Sequence, residues 1–453
     1  MAAPPGRSPE GALRVAVIGC GRVGATQAAL LAAAGHDVVG VDVDESRVAA
    51  LAAGDVPFHE PGLAAPLAAG LSGGRLRFTS DVAAAAGARV HLVCVGTSTR
   101  HAGAGARRGG VEAALAGLVP HLQPGDVVVG RSTVPVGTSR ALAARVERAG
   151  ATFVVQPDLL RTGPAVPHAL DPGRVVYGLP TDADGVVTPE GEKARALLAG
   201  LEPHAPAHEL PAVVTDYATA ELAALATGAF LAVKASFVAA VTVLCEASGA
   251  DVAALADALG HDTRIGRRWL DPGRASGGGR PTEDVRALVA AAEGLGVGRE
   301  TALLREVDAV TVRHRVALVD LVRDACGGAV AGRRVAVLGA ASWAGSDDVH
   351  DSPALSVAAQ LQLQGAHVTV TDPRALDAVR AVAPALDPAA TVAACVAGAD
   401  AVVLATPWPE YAALDPRPLT ALVARPWVLD ACHVLDPARW RAAGWTYRAA
   451  GRR

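Results

Sequence analysis

Lysine is nearly absent from this chain of 453 residues: Lys193 and Lys234 are the only two, so arginine supplies almost all of the positive charge. The bias reads as coding preference rather than phosphate recognition. With no clustered basic stripe and a formal net charge of −4, nucleic acid is not an expected partner. Aromatic residues are only 3% of the chain and alanine is abundant, which suits close helix packing. Six cysteines, Cys20, Cys94, Cys245, Cys326, Cys395 and Cys432, are scattered without paired metal-ligand spacing. Set mostly in apolar runs, they read as buried free thiols of a reducing cytoplasm, and no metal site is expected. The most apolar region, residues 222–245, is interrupted by Lys234. Neither half reaches the roughly 18–20 residues needed to cross a bilayer. Residues 1–12 lack the basic-then-apolar layout of a signal peptide and read as a loose tail. A soluble, cytoplasmic protein without a membrane partner is the expectation.

What is present is an apolar half (51%) spread over a length too great for one core, so two or three domains are expected. The first 200 or so residues alternate short β-branched runs with segments rich in alanine and leucine. Residues 14–18, 38–41, 90–95, 127–130 and 153–156 are the candidate strands. Apolar on both faces and separated by helices, they fit a parallel sheet covered on both sides. Residues 215–247 form one long helical pattern, apolar nearly all round, as in a core helix or a subunit interface. A second unit of the same kind begins near Gly332, with strands at 334–338, 367–371, 401–405 and 428–430.

The first strand runs into Gly19-Cys20-Gly21-Arg22-Val23-Gly24 and then a helix. Glycines so spaced allow a tight turn, close backbone approach to a pyrophosphate, and tight helix–strand packing. The N–H groups that open the helix then bind the phosphates. The second strand ends at Asp42, where a carboxylate accepts hydrogen bonds from ribose hydroxyls and repels a 2′-phosphate. NAD is therefore the expected cofactor, with nearby Arg47 able to soften the choice. Thr97, Ser132 and Thr133 fall at carboxyl ends of strands, the edge where ligands lie in an open parallel sheet. Their hydroxyls either contact the cofactor or satisfy their own turns.

Landmarks then follow in one order: Gly35-His36-Asp37-Val38 with Asp42, Glu60-Pro61-Gly62-Leu63, residues 132–138, Asp216, Ala220-Glu221-Leu222, residues 229–234 and Cys245-Glu246. They continue through Gly249-Ala250-Asp251-Val252, residues 262–266, Asp347-Asp348-Val349, Asp351-Ser352-Pro353 and Trp408-Pro409-Glu410. From about Arg14 to Tyr447 the chain resembles the UDP-glucose/GDP-mannose dehydrogenase family. The resemblance implies an α/β protein with two Rossmann-like, doubly wound parallel-sheet domains joined by a long-helix region that forms a homodimer. The boundaries it suggests are a tail over 1–12, an NAD-binding domain over 13–210, a central helical region over 211–315 and a nucleotide-binding domain over 316–453. It also implies an alcohol oxidised twice, through an aldehyde captured on a cysteine.

Departures from the family concentrate in that machinery. The nucleophile's position, in Gly277-Gly278-Gly279-Arg280-Pro281-Thr282-Glu283-Asp284, holds Arg280. The family's active-site lysine and asparagine align with Ala224 and Gly228. Of two acids in the segment 156–163, one aligns with Asp158 and the other with Thr162. A lysine becomes Glu283, a substrate-facing lysine becomes Trp343, and arginines become His350 and Cys432. The covalent step is thereby removed, along with much of the charge expected around a sugar diphosphate.

Hydride transfer still needs only NAD, a positioned carbinol and a base. Asp158, His350 and Asp284 are the candidate bases. An imidazole with its ordinary pKa near 6.5 suits the task, while His350 as a substitute contact for the arginine is the alternative. Asp284 reads as a structural acid first. Arg161, Arg280 and Trp343 are the candidate substrate contacts, and Arg280 either holds an anion or pairs with Glu283 or Asp284. Lys234, ten residues past Ala224, points elsewhere. Two readings stand: a single two-electron oxidation of an unusual sugar nucleotide, nucleoside or polyol, or a catalytically silent partner that binds NAD or a nucleotide.

Overall fold

The computed structural model describes residues 12–96, 104–158, 165–201, 211–274 and 277–452. Thr97, Arg161 and Thr162 lie outside them. The chain forms two compact units that divide between Ala226 and Thr227, inside the long helix.

In the first unit, eight strands make one sheet: β1 (Arg14–Ile18), β2 (Asp37–Val41), β3 (Leu76–Thr79), β4 (Val90–Val93), β5 (Val127–Gly130), β6 (Thr152–Val155), β7 (Val175–Gly178) and β8 (Ala212–Thr215). Their spatial order is β3-β2-β1-β4-β5-β6-β7-β8. The first six strands run parallel, with Val15 beside Val38 on one side and Val90 on the other. The chain direction of neighbours reverses only at β7, which pairs antiparallel with β6 and parallel with β8. Alternate residues of β1 enter opposite cores: Val15 and Val17 one, Ala16 and Ile18 the other. Burial of both faces is what made these runs apolar throughout rather than alternating. The strand order turns back between β1 and β4, which puts a ligand crevice beyond their carboxyl ends.

The second unit repeats the plan with β9 (Arg334–Leu338), β10 (His367–Thr371), β11 (Asp387–Pro388), β12 (Ala401–Leu404), β13 (Trp427–Asp430) and β14 (Thr446–Arg448). All six are parallel, in the order β11-β10-β9-β12-β13-β14. The same unit carries most of the long helix, Tyr217–Ser248, and the helices Val252–Gly260, Arg280–Gly294 and Ala302–Ala325. The fold is thus the two-sheet α/β arrangement that the strand pattern implied.

The long helix corrects one expectation. Lys234 does not divide it, and as one 32-residue helix it is long and apolar enough to cross a membrane by length and composition, though half of its most apolar stretch is buried in protein. The Lys234 ammonium is taken up by protein, donating to the carbonyls of Ile265 (3.1 Å), Gly266 (3.3 Å) and Arg268 (2.5 Å). It pins the loop after the helix Val252–Gly260, an assignment away from chemistry that its position on the helix had suggested.

Candidate active site

In the first unit the loop after β1 needs glycine for two kinds of reason. Gly19 has φ 92°, and a Cβ there would lie 2.8 Å from the Val95 nitrogen. A Cβ on Gly24 would sit 1.8 Å from the Gly19 carbonyl oxygen. Gly21, the N-cap of the helix Arg22–Ala33, has nothing within 4 Å of its would-be Cβ. Protein packing accounts for the outer two, whereas the open space over Gly21 fits the backbone approach of a pyrophosphate.

Asp42, at the end of β2, is buried and accepts hydrogen bonds from the Cys20 N–H (2.7 Å) and the Asp44 N–H (3.0 Å). It therefore ties the glycine loop to the second strand. Arg47 Nη1 reaches both its oxygens, at 2.9 and 3.0 Å, and Arg47 also pairs with Asp44 at 3.2 Å. Held this way, Arg47 offsets the charge of Asp42. Arg22 is engaged by protein: its guanidinium covers Phe58 at 5.1 Å, donates to the His59 carbonyl (2.6 Å) and pairs with Glu60 at 3.6 Å. Val23 packs against the core. The Ser132 hydroxyl donates to the Val95 carbonyl at 2.8 Å and so fastens the ends of β4 and β5 together. Thr133 follows it on the same strand-end segment.

Asp158 is buried just beyond β6, with its N–H donating to the Arg131 carbonyl at 3.2 Å. Arg131 in turn donates to Gln156 Oε1 at 2.8 Å. Burial pushes the Cys94 thiol up to about 12, against the pull of Arg131 and with the push of Asp158. A buried acid, a cation and an inert thiol therefore share the carboxyl edge of β4, β5 and β6. Glu221, near the start of the long helix, accepts from the Gly137 and Ser139 N–H groups at 2.6 and 2.7 Å and caps the helix Thr138–Glu147. In the sequence it is a landmark and nothing more. Its 82-residue separation from Ser139 leaves no local signal.

The second unit holds a separate polar cluster. Gly277, Gly278 and Gly279 have φ of 60°, 104° and 62°, and any Cβ would collide: with Thr311 at 2.4 Å, with Pro353 at 2.7 Å, and with Trp343 Nε1 at 2.7 Å. The backbone is therefore threaded between three neighbours before the helix Arg280–Gly294 starts. Arg280 pairs through Nε with Asp284 at 4.0 Å, one turn on, which is the internal pairing weighed against an anion-binding role. The Asp284 carboxylate is buried against the long helix. A Cβ at Gly228 would lie 2.1 Å from its Oδ2.

Glu283 binds Nε2 of His350. Trp343 leans on Trp269, with ring centroids 5.7 Å apart, and the two line a narrow cavity with Pro281, Thr282 and Thr311. Arg315, on the helix Ala302–Ala325, pairs with Asp351 at 3.1 Å. At the end of β10, Asp372 accepts from the N–H groups of Ala340 (2.8 Å) and Ala341 (3.0 Å) and from Trp408 Nε1 (3.1 Å). It does for the β9 loop what Asp42 does for the β1 loop.

A glycine loop with open space over Gly21, a carboxylate at the end of β2 and a second parallel sheet are features of an NAD-dependent dehydrogenase. Residues 13–193 match the UDP-glucose/GDP-mannose dehydrogenase family, NAD binding domain. Residues 218–311 match its central domain and residues 336–437 its UDP binding domain. The chain belongs to the UDP-glucose/GDP-mannose dehydrogenase family. It is 35% identical over 447 residues to a UDP-glucose 6-dehydrogenase of Rhizobium meliloti, covering 97% of this chain and 100% of that one. Against a UDP-glucose 6-dehydrogenase of Pseudomonas aeruginosa it is 33% identical over 455 residues, covering 97% and 98%. The structure of a UDP-glucose dehydrogenase from the hyperthermophilic archaeon Pyrobaculum islandicum superposes with a TM-score of 0.86 at 32% identity, covering 99% of this chain and 100% of that one.

Proposed function

We propose that this dehydrogenase carries out a single two-electron oxidation of the sugar alcohol of a nucleoside diphosphate sugar, with no covalent enzyme intermediate. UDP-glucose is the first substrate to try, because relatives across the full length are UDP-glucose 6-dehydrogenases. The observation that carries the reading is Arg280. It stands at the helix start where the resemblance expects the cysteine nucleophile, and it is engaged with Asp284. A guanidinium cannot form a thiohemiacetal, so the aldehyde has no covalent hold for a second hydride loss. NAD, when bound, supplies the hydride acceptor; Gly21 and Asp42 are the residues that would seat its pyrophosphate and ribose.

Purified protein incubated with NAD and a panel of UDP-glucose, other sugar nucleotides, nucleosides and free sugars tests this directly. NADH absorbance is followed and products are weighed. A product lighter by two hydrogens is expected. A carboxylic acid would show that the aldehyde hydrate is oxidised without the cysteine, and absence of NADH with NAD still bound would favour a silent binding protein. Arg280→Cys is expected not to yield acid, because Ala224 and Gly228 still lack functional groups.

The protein is also proposed to act as a homodimer through the long helix. Phe230, Phe237 and Leu244 recur every seven residues and are 65%, 49% and 66% exposed, with Ala240 and Ala247 also exposed. An apolar row at this spacing is suited to a helix of a second copy. Light scattering should give twice the chain mass for the natural sequence and a lower mass for Phe237→Glu. An unchanged mass would place the interface elsewhere.

A further inference from the structure

Glu221 is a buried carboxylate spent on backbone N–H groups of another element. It lies near the start of the long helix, in the stretch that belongs to the first unit. That start is seated firmly on the first sheet. Asp216 accepts from the Thr219 N–H at 2.9 Å and closes the helix end. The Tyr217 hydroxyl donates to the Phe153 carbonyl of β6 at 2.9 Å, and the two rings meet edge to face with centroids 5.9 Å apart. Ala220 fills the space over Gly178 of β7, where an added Cβ would lie 2.6 Å from the Ala220 Cβ. Glu221 is therefore carried by a turn held at three points.

What it holds is the loop that leaves β5. The first N–H groups of any helix lack intrahelical partners, and Gly137, the N-cap of the helix Thr138–Glu147, has φ 87° and no side chain to offer them. Glu221 answers instead, taking Gly137 on one oxygen at 2.6 Å and Ser139 on the other at 2.7 Å. A carboxylate is well placed at this positive end of a helix. At the other end of the loop, the Ser132 hydroxyl donates to the carbonyls of Val95 (2.8 Å) and Val93 (3.3 Å). Val95 is also the residue that Gly19 packs against, its nitrogen and Cα lying 2.8 and 2.9 Å from where a Gly19 Cβ would stand. One line of contacts thus joins Glu221, the loop 132–137, Ser132, Val95 and the glycine turn, all inside the first unit.

We propose that Glu221 is a positioning residue of the cofactor site: it fixes the loop 132–137 and, through Ser132 and Val95, holds the glycine turn in the form that receives NAD. Without the carboxylate, two N–H groups at the helix start lose their acceptors and the loop samples other conformations. NAD then has to order the loop as it binds, and its apparent affinity falls in proportion to the fraction of protein in the competent form. Coupling carried by a chain of contacts of this kind is worth about 2–30-fold in Kd. The proposal does not depend on which oxidation the enzyme performs, because it is read in NAD binding alone.

The experiment measures NAD binding to the full chain by calorimetry, well below the melting temperature, with the melting temperature recorded separately without NAD. Glu221→Ala should raise Kd by about tenfold. Glu221→Gln keeps the side-chain size and one acceptor oxygen, so it should raise Kd by less, and it carries the test if Glu221→Ala does not fold. Val146→Ala is the control for stability: Val146 is fully buried in the same helix, and its truncation leaves the cap untouched. It should lower the melting temperature and leave Kd unchanged. Ser132→Ala should raise Kd by itself, and combined with Glu221→Gln it should raise Kd by less than the product of the two separate effects.

An unchanged Kd in Glu221→Gln overturns the proposal. An equal rise in Val146→Ala overturns it too, since any loosening of that helix would then weaken binding and Glu221 would be a helix cap only. If the Glu221→Gln and Ser132→Ala effects multiply in full, the influence does not run through Ser132 and Val95, and the positioning role fails.

Discussion

Gly228 and Asp284 give the sharpest test of how the cluster around Arg280 is built. An alanine Cβ at 228 would lie 2.1 Å from Asp284 Oδ2, 2.9 Å from its Cγ and 3.0 Å from its Cβ. Gly228 is buried in a helix interior, where alanine is favoured over glycine by about 1 kcal/mol. Overpacking a filled site costs about 1–3 kcal/mol, and swinging a buried carboxylate off its arginine adds to that. The balance predicts that Gly228→Ala destabilises by about 2 kcal/mol. In an Asp284→Ala background the closest contact left is the one at 3.0 Å, which a shift of a few tenths of an ångström relieves. There Gly228→Ala should be neutral or mildly stabilising, a coupling of about 2 kcal/mol. Urea unfolding of the four proteins, without NAD, measures the cycle. If Gly228→Ala stabilises the natural chain, or the two changes simply add, Asp284 does not occupy the space over residue 228 and the reasoning is refuted.

Gly21→Asp fills the open space over the glycine loop with a negative charge and should abolish NAD binding by calorimetry while leaving the melting temperature without ligand within a few degrees; undiminished binding would remove the loop from the cofactor site. Asp158→Asn should lower turnover by about 10²–10⁴ if this acid takes part in proton transfer, and near-normal turnover would remove it from the mechanism. His314 is buried, and burial together with His433 and Arg315 lowers it from 6.5 to about 4. Its folded pKa lies below its unfolded one, so the unfolded chain takes up more protons between those values. Stability should fall as pH drops from about 6.5 towards 4, by up to about 3 kcal/mol from this group. His314→Gln should flatten that part of the profile measured by urea unfolding, and an unchanged slope would assign the acid sensitivity to other groups.

Much of the scaffold was readable in one dimension. Residues 14–18, 127–130, 334–338 and 367–371 form strands over the bounds read from their β-branched runs. The strand pattern legible in the sequence omits β3, β7, β8, β11 and β14. Ala212–Thr215 is an exposed edge strand and Leu76–Thr79 is buried only at its first residue, so neither carries the apolar run that marks a covered strand. The pairing of Arg280 with Asp284 was legible because an i,i+4 spacing on a helix brings the two together. Its neighbour Glu283 was read alongside Asp284 as a partner for Arg280, but its imidazole partner lies 67 residues away.

The sequence by itself determined the two nucleotide-fold sheets, the glycine loop with Asp42, and the family, because those features are written in local periodicity and in short motifs with fixed spacing. What the tertiary structure decided is which charges cancel which: Arg47 on Asp42, Arg22 on Glu60, Glu283 on His350. It decided too that Gly228 is small because Asp284 fills its space. Side-chain pairing across a fold depends on which elements packing brings within 3 Å or so, and linear spacing carries that information only inside a single helix or turn.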